Sequence, residues 1–234
     1  MLALLAGCGG KKRAGVRVPV PPPPATQAQT PGQTKSPAEP ESQPLPVPRN
    51  ARPIWVETGL ASWYGPPYHN RRASNGELYD MHRLTAAHRT LPLDSIVRVT
   101  NMKTGSSTVV RITDRGPFVE GRVIDLSMAA AKAVDVWRPG TAPVRVEVLR
   151  TPRAIEDGGR WCVQIGAIHD EEIASTLKSR LTRRYQTARV LQFSSPVGDW
   201  WIRVRVAGDD RLRAEELAAA VEPEQGLVWL VRMD

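Results

Sequence analysis

The chain has 234 residues, enough for one large domain or for two small domains and a tail, and its net charge is +8. The excess of Lys and Arg over Asp and Glu is +5 in residues 1–53, +3 in 54–149 and zero in 150–234. A nucleic-acid-binding domain concentrates its basic residues on one face or helix. The densest basic run here, Lys11-Lys12-Arg13, lies in an N-terminal tail. The charge pattern therefore argues against nucleic acid as a partner.

A short apolar segment ends at Cys8, one of two cysteines in the chain. Leu5-Ala6-Gly7 before it is a small-residue cleavage site of the kind that ends a secretory signal. The form resembles a bacterial lipobox and predicts lipidated Cys8 at the end of a signal peptide, residues 1–8; the alternative is a chance apolar N-terminus. No basic segment precedes Leu2, so either the start codon lies further upstream or the segment is truncated. With Cys8 acylated, Cys162 would have no intrachain partner and no disulfide is expected.

Residues 9–53 contain 12 of the 21 prolines and no aromatic residue. Such a composition buries too little apolar surface to offset its ordering entropy, so we expect a disordered, Pro-rich tether. At about 3.1 Å per residue its fully extended reach is roughly 130 Å. An inert spacer of no particular length is an equally compatible interpretation. No stretch after it approaches the 18 apolar residues of a membrane-spanning helix, so we expect a protein that is anchored to a membrane without crossing it.

Residues 54–150 have the composition of a folded domain rich in short strands. Their pattern predicts strands at residues 59–65, 95–100, 107–113, 122–126 and 144–149. Ser127 is a preferred N-cap and predicts an Ala-rich helix over residues 128–136. Short strands with one short helix favour a small closed barrel.

Residues 151–160 are predicted to be a linker to a second domain, residues 161–234. Its order is strand, helix, strand, strand, helix, strand, and both helices have one apolar face for a sheet. The alternation in its strands places Ile202 and Val204 in the core. The same alternation predicts one open sheet face, which carries Gln164, Trp201, Arg203 and Arg205.

Two segments of the first domain carry the candidate chemistry. Residues 74–88 hold two carboxylates and two imidazoles, and residues 113–117 add an acidic turn. We expect the two segments to face each other across one cleft. Two nearby carboxylates raise one pKa and so keep a proton available for donation.

Each candidate also has a structural interpretation. Asp114 is equally well explained as a turn residue that bonds its own backbone. Glu77, next to Asn-Gly, is equally well explained as a solvated loop carboxylate, and His88 as a satisfied structural histidine. Arg115 is either a substrate contact or an ion-pair partner of Asp125.

A zinc site is the remaining possibility for these side chains, but neither an HExxH motif nor paired cysteines support it. We therefore expect no metal and no other cofactor. The residues that raise the possibility are His69, Asp80, His82, His88 and Asp114.

The motifs of both domains resemble known families. Residues 59–149 resemble the rare lipoprotein A family with its six-stranded double-psi β-barrel, through GLASWYG, ASNGELYDMHRLTAAHRTLPL, VRVTNMKTG, VVRITDRGPF and GRVIDLSMAAA. Residues 161–234 resemble a small α+β SPOR domain of order βαββαβ, through WCVQIGAI and WIRVRVAG, with Ala207 where that family usually has Gly.

The resemblance implies a lytic transglycosylase that cleaves the MurNAc–GlcNAc bond of peptidoglycan strands lacking stem peptides and leaves 1,6-anhydro ends. It places the catalytic positions on Glu77, Asp80, His88 and Asp114. Asp114 is expected to act as general acid and then base, and Glu77 to stabilise positive charge or share the proton work. Asp80 and His88 would tune and orient them.

The predicted partners are the denuded glycan strand and, through Cys8, outer-membrane lipid. Gly9 after Cys8 resembles the outer-membrane sorting pattern, so the expected location is the periplasmic side of that membrane, enriched at the division septum. Trp63 and Tyr64 are equally compatible with stacking on sugar rings and with a place in the barrel core. The open sheet face of the second domain is predicted to bind glycan; a solvated face or a homo-oligomer contact is the alternative. An expansin-like binding protein without catalysis is the alternative function.

Overall fold

A computed structural model describes residues 51–234. The predicted signal end, lipidated Cys8 and nearly all of the predicted tether lie outside the described residues. The N-terminal part of the described chain is a closed β-barrel and the C-terminal part is a four-stranded sheet with two helices. This is the mainly β domain plus small α+β domain that the sequence predicts.

Six strands close the barrel in the order β1-β5-β2-β4-β3-β6. Apolar side chains of these strands, many of them Val and Ile, point into a fully buried core. The strands are β1 (Trp55–Tyr64), β2 (Thr85–His88), β3 (Ile96–Asn101), β4 (Ser107–Asp114), β5 (Arg122–Ser127) and β6 (Ala142–Arg150).

Strand β2 is not predicted by the local sequence pattern. Its sequence, Thr-Ala-Ala-His, has little intrinsic preference for a strand. It is a strand because β4 pairs with it in parallel on one side and β5 antiparallel on the other. Tertiary pairing therefore overrides local propensity at the centre of this part of the barrel.

The single barrel helix, α1 (Met128–Ala133), begins as predicted: Ser127 accepts a hydrogen bond from the Ala130 amide at 3.1 Å. It ends three residues earlier than predicted. The chain leaves the helix at Val134, and Asp135 follows with a φ of 56°, in the left-handed region that terminates helices.

The second domain has the predicted order of elements. They are β7 (Trp161–Ile168), α2 (Glu171–Arg184), β8 (Arg189–Ser194), β9 (Trp200–Arg205), α3 (Arg211–Ala220) and β10 (Leu227–Arg232). The strands lie in the order β10-β7-β9-β8, and both helices pack on one face of this sheet, where Ile202 and Val204 are fully buried. None of the helices within residues 51–234 is long and apolar enough to cross a membrane.

The other face of this sheet is not open as predicted. Trp201 packs against Phe118 of the barrel with ring centroids 5.1 Å apart, and Trp229 lies beneath the guanidinium of barrel residue Arg89. The backbone amide of Leu93 donates to the Asp234 carbonyl at 3.0 Å. The face therefore lies against the barrel, because its aromatic residues find apolar and cationic partners there.

Candidate active site

One row of residues crosses four neighbouring barrel strands and forms the base of the candidate site. Ser62 of β1 is the register partner of Asp125 of β5, which is the partner of Ala87 of β2, which in turn is the partner of Asp114 of β4. Directly opposed residues share one face of a sheet. Asp125 and Asp114 therefore flank the small side chain of Ala87, with Cα atoms two strand spacings, roughly 10 Å, apart.

A β-bulge turns Asp114 toward this row. Ile112 pairs with Ala86 but Asp114, two residues on, pairs with Ala87, so Thr113 is the extra residue. Without the bulge, Thr113 would occupy the position beside Ala87. Bulges of this kind re-aim side chains next to active sites.

Three donors converge on one oxygen of Asp114. Oδ1 accepts from the Ser74 amide at 3.0 Å, from the Ser74 hydroxyl at 2.6 Å and from the Arg115 amide at 2.8 Å. Within the described part of the chain, Oδ2 accepts no hydrogen bond. Oδ2 is therefore the oxygen that is free to meet a substrate. The predicted contact between the two sequence segments is present, through Ser74 and Asp114.

Asp125 belongs to the same row, although the sequence indicates it only as a possible ion-pair partner of Arg115. Its Oδ1 accepts from the Ser62 hydroxyl at 2.6 Å, and its Oδ2 lies 3.4 Å from Nη2 of Arg122. Burial raises the pKa of Asp125, and Arg122 and the Ser62 hydrogen bond offset only part of that effect. Burial of this kind favours the protonated form of a carboxyl group. The sequence does contain a sign of this position. Asp125 stands between Ile124 and Leu126, which point into the core, so alternation places its side chain on the outer face of the barrel.

The row forms one wall of a cavity of about 590 Å³. Pockets that bind small ligands have volumes of about 300–1,000 Å³. Tyr64 also lines the cavity and stacks on Tyr79 with centroids 4.3 Å apart, and burial raises the pKa of both phenols. The neutral tyrosines form one end of the wall that carries Asp114 and Asp125.

Glu77 lies on the loop that borders the cavity, outside the cavity wall. Arg111 of β4 holds both of its carboxylate oxygens, and the Arg111 Nη1 to Glu77 Oε1 distance is 2.9 Å. This hydrogen-bonded ion pair lowers the pKa of Glu77. Nη1 of the same guanidinium lies 3.0 Å from Asp94. The ionised form of Glu77 is therefore favoured, which suits stabilisation of positive charge better than proton donation.

Asp80 and His88 are not brought to the cavity. Asp80 accepts from the His82 amide at 2.9 Å and closes a turn of the loop. Nδ1 of His88 accepts from the amides of Thr90 and Leu91, so its proton is on Nε2, which donates to Glu57 at 2.9 Å. His88 is buried, and that burial lowers its pKa.

The Arg115 side chain binds backbone carbonyls and forms no ion pair with Asp125. Nη1 donates to the carbonyls of His88 at 3.0 Å and Leu91 at 2.7 Å, and Nη2 to that of Asp234 at 2.8 Å. Burial lowers its pKa to about 10. Arg115 borders the cavity, but its guanidinium donates to backbone carbonyls of the 88–91 turn and of the segment after β10.

The remaining predicted binding residues divide into two groups. Tyr64, Gln164, Trp201 and Arg203 line the cavity. Trp63 packs against the barrel core, and Arg205 is bound by Asp209 through two hydrogen bonds of 3.0 and 2.7 Å. Cys162 is a buried free thiol whose pKa burial raises to about 11. Within residues 51–234, no group of three His, Cys, Asp or Glu side chains has the arrangement of a metal site.

Comparison with protein families matches both domains. Residues 56–146 match the family described as lytic transglycolase, and residues 157–229 match the SPOR domain. The barrel with its row of carboxylates thus belongs to the double-psi barrels of lytic transglycolase type, joined here to a SPOR domain. The chain thus carries the two domain types that the resemblance to the rare lipoprotein A family predicts.

Several curated relatives carry the name endolytic peptidoglycan transglycosylase RlpA. The protein from Vibrio cholerae serotype O1 is 46% identical over 134 residues, 54% of this chain and 51% of the relative. That from Pseudomonas aeruginosa is 40% identical over 149 residues, 64% of this chain and 44% of the relative. One from Neisseria meningitidis serogroup A is 52% identical over 101 residues, 43% of this chain and 42% of the relative. The chain spans about half the length of the curated relatives it matches.

Solved structures give weaker similarities. The Streptomyces papain inhibitor superposes with a TM-score of 0.35 at 20% identity, over 42% of this chain and 97% of that one. An apo expansin from Clavibacter michiganensis has the same TM-score at 14% identity, over 65% of this chain and 80% of the expansin. Scores this low say nothing about activity.

Proposed function

We propose that this protein is a lytic transglycosylase that cleaves the MurNAc–GlcNAc bond of peptidoglycan strands lacking stem peptides. The observation that carries the proposal is the Asp125–Ala87–Asp114 row on one wall of a cavity large enough for a saccharide. The curated relatives named as peptidoglycan transglycosylases support the substrate class.

The two carboxyl groups have different environments and therefore different roles in the proposed reaction. Asp125, whose pKa is raised by burial, donates its proton to the glycosidic oxygen as the C1–O bond breaks. The C6 hydroxyl of the same MurNAc attacks C1 and gives up its proton to the free Oδ2 of Asp114. The product has a 1,6-anhydro ring, no water is consumed, and the proton returns to Asp125 through solvent before the next turnover.

The other predicted catalytic residues act around this pair in the proposal. Glu77 lies outside the cavity wall, where Arg111 holds it ionised, and it positions the loop that carries Ser74, the hydrogen-bond donor to Asp114. Asp80 fixes a turn of the same loop through the His82 amide. His88 holds the 88–91 turn whose carbonyls position Arg115, the residue next to Asp114. Asp80 and His88 are thus positioning residues.

Mass spectrometry of the products from denuded sacculi tests the proposal. The wild-type protein should release anhydromuropeptide ends, and Asp114→Asn and Asp125→Asn should each lower the rate by about 100-fold or more, because each removes a proton-transfer step. Glu77→Gln should also lower it. The matched control is Asp135→Asn, since Asp135 is an exposed carboxylate that hydrogen-bonds Ser106 and does not line the cavity.

Each result has a distinct meaning. Full activity of Asp114→Asn would remove the proposed site. Full activity of Asp125→Asn alone would return both proton transfers to Asp114. Glycan that is bound but left intact by the wild-type protein would instead identify an expansin-like binding protein.

We also propose that Cys8 is lipidated and anchors the protein to the periplasmic leaflet of the outer membrane, with enrichment at the septum. The support is the Leu-Ala-Gly-Cys sequence followed by Gly9, and the glycan-binding type of the C-terminal domain. Labelled palmitate should be incorporated into the wild-type and Cys162→Ser proteins but not into Cys8→Ser. Incorporation into Cys8→Ser would refute the anchor.

A further inference from the structure

One exposed surface of the barrel combines large apolar side chains with basic ones. Trp137 is 39% exposed and Met102 is 59% exposed. Lys103, Lys132 and Arg138 are exposed beside them, and we call these five residues the Trp137 surface. Single exposed apolar residues are ordinary on a soluble domain. The feature that needs a physical reason is the position of two of them among three cations.

Hydrogen bonds hold the two segments of the Trp137 surface together. The hairpin loop between β3 and β4 supplies one segment, and the end of α1 with the chain after it supplies the other. Asn101 Nδ2 donates to the Val134 carbonyl at 2.8 Å, and the Ser106 hydroxyl donates to Asp135 at 2.6 Å. The exposed residues of the two segments therefore form one continuous surface.

Trp137 has cations at its ring. Nζ of Lys132 lies 5.0 Å from the Trp137 ring centroid, and Arg138 is the next residue in the chain. At a membrane–water interface, tryptophan rings lie at the level of the lipid headgroups, and long basic side chains extend their charged ends to the polar layer. The Trp137 surface has the side chains for such a position.

The charge of this surface is positive. Lys103, Lys132 and Arg138 contribute +3 and the neighbouring Asp135 contributes −1, which gives +2. No salt bridge within residues 51–234 neutralises these three cations. Each Lys or Arg close to an anionic bilayer strengthens binding about fivefold. Anionic phospholipid headgroups therefore match both the charge and the apolar part of the surface.

The Trp137 surface lies at the end of the barrel that is farther from the SPOR domain. Strand β6 begins beside it, because the Met102 amide donates to the Pro143 carbonyl at 2.9 Å. The strand ends at Arg150, where the linker to the SPOR domain leaves, and its nine residues span roughly 25 Å. The SPOR contact at Leu93 is at this second end, just before β3 begins at Ile96. A bilayer at the Trp137 surface would have the SPOR domain facing away from it.

We propose that the Trp137 surface binds a bilayer that contains anionic phospholipid, with Trp137 at headgroup level and the three cations on phosphate groups. The inference goes beyond the proposed reaction and does not depend on it. Together with the proposed Cys8 anchor, weak binding is sufficient, because a flexible tether holds the barrel near the membrane at an effective concentration in the millimolar range. Docking then turns the SPOR domain toward the peptidoglycan.

Vesicle sedimentation tests the proposal with a reference protein that is the full chain carrying Cys8→Ser, so that no acyl group contributes. It also carries Lys11→Gln, Lys12→Gln and Arg13→Gln, so that the basic tail does not contribute. The vesicles are phosphatidylethanolamine with about a third phosphatidylglycerol. Adding Lys103→Gln, Lys132→Gln and Arg138→Gln should lower the partition coefficient about 10- to 100-fold, from about fivefold per cation.

The matched control removes the same charge from exposed residues of the SPOR domain, through Lys178→Gln, Arg183→Gln and Arg189→Gln. Its partition coefficient should stay within about twofold of the reference, because charges more than a Debye length of about 8–10 Å from the bilayer are screened. Equal losses in the two triple variants would overturn the proposal, since net charge and not this surface would then cause binding. Equal binding of the reference protein to phosphatidylcholine vesicles, or no binding to the anionic ones, would also overturn it.

A second measurement locates Trp137 itself. Vesicles with a doxyl-labelled phospholipid should quench part of the tryptophan fluorescence of the reference protein, and Trp137→Phe at the same bound fraction should show no such quenching. Equal quenching in the two proteins would place another surface on the bilayer. Unchanged midpoints of thermal unfolding in all variants check that the fold is kept, as expected for exposed positions. A protein that binds these vesicles but leaves glycan intact refutes the proposed reaction and not this inference.

Discussion

At the scale of single residues, the site depends on which polar groups are buried and on what surrounds them. Asp125 is partly buried beside Ser62 and Arg122, and its pKa rises; Glu77 is exposed beside Arg111, and its pKa falls. Both side chains are carboxyl groups, so their environments alone shift the two pKa values in opposite directions. Neither burial nor partner can be read from the local sequence of either residue.

His88 provides a test at this scale through the pH dependence of stability. Burial lowers its pKa in the folded state below the ordinary value of 6.5, so the folded protein binds fewer protons than the unfolded chain. The contribution of His88 to the free energy of unfolding is therefore fully present above about pH 6.5. It is lost as the pH falls toward the folded-state pKa, by up to about 1.4 kcal/mol per pH unit. Denaturant unfolding between pH 8 and 5 measures it.

The comparison variant is His88→Gln, which removes the ionisable ring, and it should be less stable at neutral pH but lose less on acidification. His82→Gln, which removes an exposed imidazole from the neighbouring loop, should keep the wild-type slope. Equal slopes for wild type and His88→Gln would show that other groups determine acid sensitivity.

At the scale of elements, the bulge in β4 and the pairing of β2 assemble the site. Shifting the register by one residue at Thr113 puts Asp114, instead of Thr113, beside Ala87. The short strand β2 then separates the two carboxylates by one small side chain. Both features are long-range: β2 has its strand conformation because β4 and β5 hold it.

Strand β10 offers the test at this scale, because it connects the SPOR sheet to the barrel. Trp229→Ala removes the cation–π contact with Arg89, an interaction of about 0.5–2 kcal/mol. The amide of Leu93, which donates to the Asp234 carbonyl, should then exchange with solvent faster by roughly 2- to 30-fold, as measured by hydrogen exchange.

The matched control is Trp137→Ala, which removes the same kind of contact within the barrel, where Lys132 lies 5.0 Å from the Trp137 ring centroid. Exchange at Leu93 should be unaffected there. Unaltered exchange in Trp229→Ala would mean that the backbone hydrogen bonds hold the domains together without the aromatic contact.

At the scale of the whole molecule, the two domains share one cavity. Residues of the barrel and of the SPOR sheet line it together. In our proposed function the barrel supplies proton transfer, and Cys8 holds the protein at the membrane.

Periodicity and caps predicted most elements of the fold. Short strand-like runs indicated five of the six barrel strands, Ser127 indicated the start of α1, and alternation in β9 placed Ile202 and Val204 in a core. The acidic 113–117 turn and residues 74–88 were expected to meet, and Ser74 does bond Asp114. These features are local or follow from sequence motifs, so they can be predicted from the sequence.

The order of elements in both domains and the residue types available for acid–base chemistry follow from local patterns in the sequence. Which carboxylates share a wall depends on tertiary contacts, which place Asp114 and Asp125 on either side of Ala87 and leave His88 and Asp80 outside the cavity. Tertiary contacts also turn the sheet face with Arg203 toward that wall. The physical reason is that register, burial and domain contact arise from pairings between distant parts of the chain, which no local pattern encodes.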